Sequence, residues 1–196
     1  MKLLRTLLPA LVVTHVLGCA GPPPKAVGEP GGERHMKTIG VLGGIGPQAT
    51  MDFEARVHRE SQRRIPTHAN RGYPPMVVYY HRRPPIIVDD RGHPVRPLQI
   101  DPDFLRAAQR LKGSADFLVI PSNTPHVFKD QIERASGLPL LSILDVTLAE
   151  VRNRGWKKIG VVGMGDPTFY TSRLAEMGLA FETLDPPLRD RVDEAV

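Results

Sequence analysis

Three features of the sequence predict an α/β protein built on a parallel sheet. From residue 36 onward, short β-branched apolar runs alternate with helix-like segments. Strands separated by helices of that length imply a parallel sheet with helices on both faces. Two of the runs end in small or polar residues of strand-to-helix type, Gly43-Gly44-Ile45-Gly46-Pro47 and Pro121-Ser122-Asn123-Thr124-Pro125. The third feature is an internal repeat: Ile39-Gly40-Val41-Leu42-Gly43 returns as Ile159-Gly160-Val161-Val162-Gly163. Each copy has a lysine just upstream and leads to a Gly-Pro or Asp-Pro helix start, Gly46-Pro47 and Asp166-Pro167. An offset the length of a small domain suggests two pseudo-symmetric lobes. We place the first at residues 36–155 and a partial second at 156–196, too short to cover a sheet like the first.

Residues 1–35 stand apart from that body. Lys2 and Arg5 precede a mostly apolar segment, Leu7 to Val16, interrupted by Thr14 and His15. It is too short for a comfortable membrane span and fits a secretory signal. Val16-Leu17-Gly18-Cys19 resembles the lipobox of bacterial lipoproteins, which implies cleavage before Cys19, lipidation there, and attachment to the membrane on the periplasmic side of the cell envelope. Residues 1–19 are then signal and lipobox, and 20–35 a Pro/Gly-rich tether with little to bury. The other reading is an N-terminal extension ahead of a true start at Met36, which would leave the protein cytoplasmic. Cys19 is the only cysteine. With lipid on it, disulfides, zinc–cysteine sites and thiol catalysis are excluded from the folded part.

The elements follow in order. Thr38 to Leu42 is a buried strand, and its glycine turn opens a helix to about Arg64 with Ala49, Phe53 and Val57 on one face. After the Pro74-Pro75 break, Met76 to Tyr80 is a second strand. Arg82 to Pro102 is a long Pro-, Arg- and Asp-rich loop of the kind that forms lids. Phe104 to Leu111 is a helix and Asp116 to Ile120 a third strand. Val127 to Ala135 is a helix stopped by Gly137, with Pro139 beyond. Leu140 and Leu141 begin a short strand, and Leu144 to Arg152 is another helix. The second lobe offers a strand from Lys158, a helix (Thr168 to Met177), a strand (Leu179 to Thr183) and a polar tail. Either that tail packs on the first lobe or the chain is a fragment.

Composition narrows the function. The 196 residues are 24% charged and 41% hydrophobic, with a mean hydropathy of −0.21, unlike a multi-span membrane protein. The formal charge of +5 raises the question of an acidic partner. Much of the basic character comes from Arg56, Arg59, Arg63, Arg64, Arg71, Arg82 and Arg83; a solvated helix face explains the first four, and no nucleic-acid-binding signature accompanies them. Gly44-x-Gly46-x-x-Ala49 matches a loose dinucleotide fingerprint, but Tyr79-Tyr80-His81 stands where an acidic residue should follow the next strand. Arg82 and Arg83 leave a 2′-phosphate as the remaining dinucleotide option.

The stretch Leu118 to His126 matters most. Ligands of open α/β sheets bind at the carboxyl ends of strands, and Pro125 suits the first turn of a helix. Ser122, Asn123 and Thr124 then sit at a helix N-terminus, where unpaired N–H groups attract a carboxylate or phosphate. A plain N-cap would look the same.

Met36 to Thr50, with its Ile39-Gly40-Val41-Leu42-Gly43-Gly44-Ile45-Gly46-Pro47 core, resembles the N-terminus of the aspartate/glutamate racemase family. Asp116 to His126 is similar to that family's first catalytic signature, and Pro139 to Asp145 and Lys158 to Gly163 follow in the expected order. The resemblance covers Met36 to about Pro186. It implies two α/β lobes with the site between them and a cofactor-independent, metal-free racemase for acidic amino acids, with Gly44, Gly46, Asn123 and Thr124 binding substrate. Family members commonly pair as homodimers.

That chemistry uses two cysteines facing each other across the substrate, one thiolate removing the α-proton and the other thiol returning one. The resemblance places Ser122 at the first cysteine, and the Gly-Cys-Thr signature of the second is not reached. A thiol ionises near 8.5 and an alkanol far higher, close to bulk water, so an alkoxide costs about 10 kcal/mol more to form. His126, one turn on, is the nearest base for Ser122, with Asp145 as a candidate orienter; the preferred reading is a helix-start histidine with no catalytic part. The family's lid arginine has no counterpart in register, Pro84-Pro85-Ile86-Ile87-Val88 standing there, so Arg82 and Arg83 are the nearest candidates to hold a substrate carboxylate. These departures imply weak or lost racemisation, the alternative being a lipid-anchored, non-catalytic amino-acid-binding module.

Overall fold

The computed structural model describes residues 36–65, 72–163 and 167–194. The signal-like segment, Cys19 and the tether lie outside the described residues, as does Asp166 of the second helix start.

Three parallel strands form the larger sheet in the order β2-β1-β3: β1 (Ile39–Gly43), β2 (Met76–Tyr80) and β3 (Phe117–Val119). The central strand is buried along its whole length. Side chains alternate across a strand, and Leu42 on one face and Val41 on the other are both fully buried, so both faces are covered. On the Leu42 face lie α2 (Pro102–Gln109) and, after β3, α3 (Lys129–Ser136), which pack on one another. Phe104, Ala107, Ala108, Leu111, Phe128 and Ile132 form this core with Leu118 and Ile120. Asp101 caps α2, its carboxylate accepting from the Asp103 amide at 2.6 Å.

α1 (Pro47–Arg64) turns the expected face inward at Phe53 and Val57 but not at Ala49. Thr50 and Ser61 are buried, Phe53 and Val57 half-buried, and Ala49 exposed. At the start of the helix Thr50 takes the inward position, its hydroxyl folded back into the glycine turn. The expected Leu140-Leu141 strand shrinks to one parallel bridge between Leu118 and Leu140. The expected helix from Val127 is divided: a 3₁₀ helix, Thr124–Phe128, precedes α3, and Gly137 ends α3 in the left-handed conformation (φ +70°). The long loop after β2 is folded back on itself by bridges Ile86–Ile100 and Val88–Pro94, its base anchored by buried Ile86 and Ile100.

Beyond α4 (Ile143–Asn153), which Ser142 caps, β4 (Lys158–Val161) and β5 (Ala180–Thr183) pair in parallel as a separate two-stranded sheet. α5 (Thr168–Glu176) joins them. Leu144 and Leu148 of α4 and Leu174 of α5 form one cluster with Ile159, Val161, Phe169 and Leu179. The polar tail is not irregular: it forms α6 (Pro186–Glu194). Asp185 accepts from the Leu188 amide at 3.1 Å, and a proline pair fits a helix's first turn.

Candidate functional site

The parallel register brings the carboxyl ends of all three larger-sheet strands to one edge, with Gly43 opposite Tyr80 and Val41 opposite Val119. Gly44 turns there with φ +83°, and a Cβ on it would lie 2.8 Å from the Tyr80 Cα and 2.9 Å from the His81 nitrogen. Only glycine fits such an approach. The Gly44 amide donates to the Thr50 hydroxyl at 2.9 Å, and that hydroxyl donates to the Gly46 carbonyl at 3.3 Å. The turn expected to offer amides to a ligand has thus committed the Gly44 N–H internally. Gly46 precedes Pro47 as the N-terminal cap position of α1 and makes no side-chain cap.

At the end of β3, Ser122 is half-buried and its amide donates to the Ile120 carbonyl at 2.8 Å. Asn123 is exposed and Thr124 half-buried. The helix start beneath them is the five-residue 3₁₀ helix, so its amide field is shorter than that of the α-helix expected from sequence. His126 is 5% exposed, and its Nε2 lies 3.0 Å from the Ile120 carbonyl. A carbonyl only accepts, so Nε2 carries the proton. Nδ1 is buried with no partner among the described residues. Burial is the main cause holding the His126 pKa below the ordinary histidine value; the Ile120 carbonyl and Asp145 oppose it. Asp145 itself pairs with Lys129 at 3.4 Å and Arg173 at 3.6 Å. Ser122, His126 and Asp145 therefore do not form a hydrogen-bonded relay.

One contact had no signal in the sequence. The Tyr170 hydroxyl of α5 donates to the Asn123 side-chain oxygen at 2.9 Å, joining the smaller sheet's helix to the end of β3. Burial raises the Tyr170 pKa, so the phenol stays protonated and able to donate.

Arg82 and Arg83 come together elsewhere. They line a pocket of about 370 Å³ with Arg106 of α2 and Arg110 at that helix's C-terminal cap, and its walls include none of Ser122, Asn123, Thr124, Gly44 or Gly46. Among the described residues there is no cluster of three or more His, Cys, Asp or Glu able to hold a metal ion. No described helix is long and apolar enough to cross a membrane.

The sequence profile of the family described as Asp/Glu/Hydantoin racemase matches residues 42–196. The chain belongs to that family. It is 30% identical over 135 residues to the broad specificity amino-acid racemase RacX of Bacillus subtilis; the aligned stretch is 68% of this chain and 57% of that relative, so the chain spans little more than half the relative's length. Two solved structures share the racemase-family fold. A crystal structure of a candidate Asp/Glu racemase from Yersinia pestis superposes with a TM-score of 0.62 at 24% identity, over 81% of this chain and 69% of the other. An aspartate racemase homologue from Pyrococcus horikoshii gives 0.59 at 22% identity, over 82% and 70%.

Proposed function

We propose that this family member binds an amino acid, an acidic one foremost, at the end of β3 and performs two-base racemisation weakly or not at all. The observation carrying the reading is Ser122. It stands at the strand end where the resemblance puts the first catalytic thiol, and the nearest imidazole, His126, is bonded to the Ile120 carbonyl instead of the serine. Without a partner base the serine hydroxyl keeps an alkanol's acidity, about seven units above a thiol. The chain's one cysteine, Cys19, precedes the fold. Binding needs less: the half-buried Ser122 and Thr124 and the exposed Asn123 follow β3 at the sheet edge from which the Gly44 turn also leaves. RacX, with its broad specificity, supports an amino-acid ligand beyond the acidic pair.

The test incubates the full chain with L- and D-aspartate and glutamate in D2O and follows α-proton exchange by NMR, with calorimetry for binding. Saturable binding with exchange near background is expected, and Ser122→Cys should exchange faster than wild type. Wild-type exchange that survives Ser122→Ala would sink the assignment of the centre; absence of any saturable amino-acid binding would sink the binding reading. The proposal extends to location: lipid on Cys19 holds the body at the membrane of the cell envelope, and Cys19→Ser should move the protein from the membrane pellet to the soluble fraction. A wild-type protein found only in the cytosol would instead place the start at Met36.

A further inference from the structure

The pocket beside β2 is separate in composition from the strand-end group and has a chemistry of its own. Four guanidiniums, from Arg82, Arg83, Arg106 and Arg110, line about 370 Å³ together with one carboxylate, Asp103. That volume is within the range of small-ligand pockets, roughly 300–1,000 Å³. Asp103 and Arg106, three apart, share one face of α2, and Arg110, the C-terminal cap residue of that helix, follows four residues later with its backbone still right-handed helical. Arg82 and Arg83 reach that face from the end of β2.

Asp103 organises part of the group. One of its oxygens takes Arg83 at 2.9 Å and the other takes Arg106. Arg82 and Arg110 have no acidic partner among the described residues. One carboxylate against four permanent cations leaves three positive charges around a single cavity. Guanidiniums gathered this way repel one another unless an anion joins them, and their planar forks match the oxygens of phosphate. A second observation lies in the wall. His81 is 6% exposed, and its Nε2 has no hydrogen-bond partner among the described residues. It is held edge-on against Phe104, with ring centroids 5.2 Å apart.

We infer that this pocket binds a phosphate dianion, either free or as a small phosphate monoester, at a site distinct from the amino-acid centre at Ser122. A dianion neutralises most of the excess charge and offers several acceptor oxygens to guanidiniums that converge from two elements. A single carboxylate offers only two oxygens and one charge. Tyr79 and Tyr80 also line the pocket and offer ring surface to the organic part of an ester.

Calorimetric titration of the full chain with inorganic phosphate and with phenyl phosphate tests this, with L-aspartate as competitor. Saturable phosphate binding is expected, and Arg82→Ala/Arg110→Ala should weaken it at least about tenfold, a ratio equivalent to about 1.4 kcal/mol. Both arginines lack acidic partners, so the double variant should keep the wild-type circular dichroism. Arg154→Ala, outside the pocket, should leave phosphate affinity unchanged. Tighter binding of phenyl phosphate assigns the pocket to an ester, and equal binding assigns it to free phosphate. No saturable phosphate binding overturns the inference. So does binding that the double variant retains, or that Arg154→Ala reduces as much. Displacement of phosphate by L-aspartate overturns the separateness of the two sites. Failure here leaves the Ser122 reading standing, since that reading rests on amino-acid exchange and binding.

Discussion

The two copies of the internal repeat meet opposite environments. Ile39 to Gly43 is buried at every position, whereas β4 alternates between exposed and half-buried. Leu42 is fully buried, and its counterpart Val162 is 71% exposed. A Cβ on Gly40 would meet the Ala115 Cβ at 2.8 Å and Leu118 at 3.0 Å, while Gly160 has nothing within 4 Å. The same local sequence thus serves as the centre of a three-stranded sheet and as half of a two-stranded one. What differs is the number of neighbours, and burial, more than strand propensity, sets what each residue contributes.

The largest test of that contrast is paired truncation. Leu42→Ala should cost about 2–5 kcal/mol, and Val162→Ala should stay within about 0.5 kcal/mol, both read from urea unfolding. Equal losses would show that the smaller sheet is as well covered as the larger. Next come the paired glycines. Gly40→Ala overpacks the contact with Ala115 and Leu118 and should destabilise by about 1–3 kcal/mol. Gly160→Ala has open space and should gain roughly 0.5–1 kcal/mol, because alanine loses less backbone freedom on folding. A destabilising Gly160→Ala would reveal packing on that face.

A third test uses pH. His81 and His126 end strands or follow them in the larger sheet, and both are held below the ordinary histidine pKa, burial being the largest cause in each. Between the lowered folded value and about 6.5 in the unfolded chain, the unfolded state binds more protons. Stability from these groups is therefore complete above pH 6.5 and falls as pH drops through the folded values. No histidine lies beyond His126, so this part of the acid response belongs to the larger sheet. Urea midpoints at pH 7.5 and 5.5 should separate, and His126→Gln should shrink the difference. A variant with the wild-type separation would remove His126 from that response. The smallest effect concerns the link between the regions: Tyr170→Phe deletes one partly exposed hydrogen bond, worth about 0.5–1.5 kcal/mol. Hydrogen exchange should quicken in α5 and β5 more than in β1, and uniform change would mean the two sheets open together.

Much of the fold was readable because its signals are local. The apolar runs and their glycine or proline punctuation placed β1, β2, β3 and β4 and the end of α3 at Gly137. Racemase-family membership followed from the same strand ends. Other features depend on partners distant in sequence. The 3₁₀ start at Thr124 is accompanied by the His126 bond to Ile120, and Thr50 is buried against the glycine turn, neither of which periodicity reports. Tyr170 meets Asn123 across 47 residues and belongs to no pattern. Arg106 and Arg110 did carry a signal, their spacing from Asp103, but its meaning needed β2 to bring Arg82 and Arg83 alongside. Asp185-Pro186-Pro187 was a usable start signal for α6, hidden by the low hydrophobicity that followed.

Thr50 has a consequence for timing. Its hydroxyl ties the Gly44 amide to the Gly46 carbonyl before any ligand arrives, so the turn has little conformational freedom left to lose on association. Preorganisation of this kind reduces the entropic cost of binding. For the amino-acid binding proposed above, encounter at the β1 end should then be governed by diffusion and orientation, not by loop ordering, and differences among amino acids should show in residence time more than in association rate.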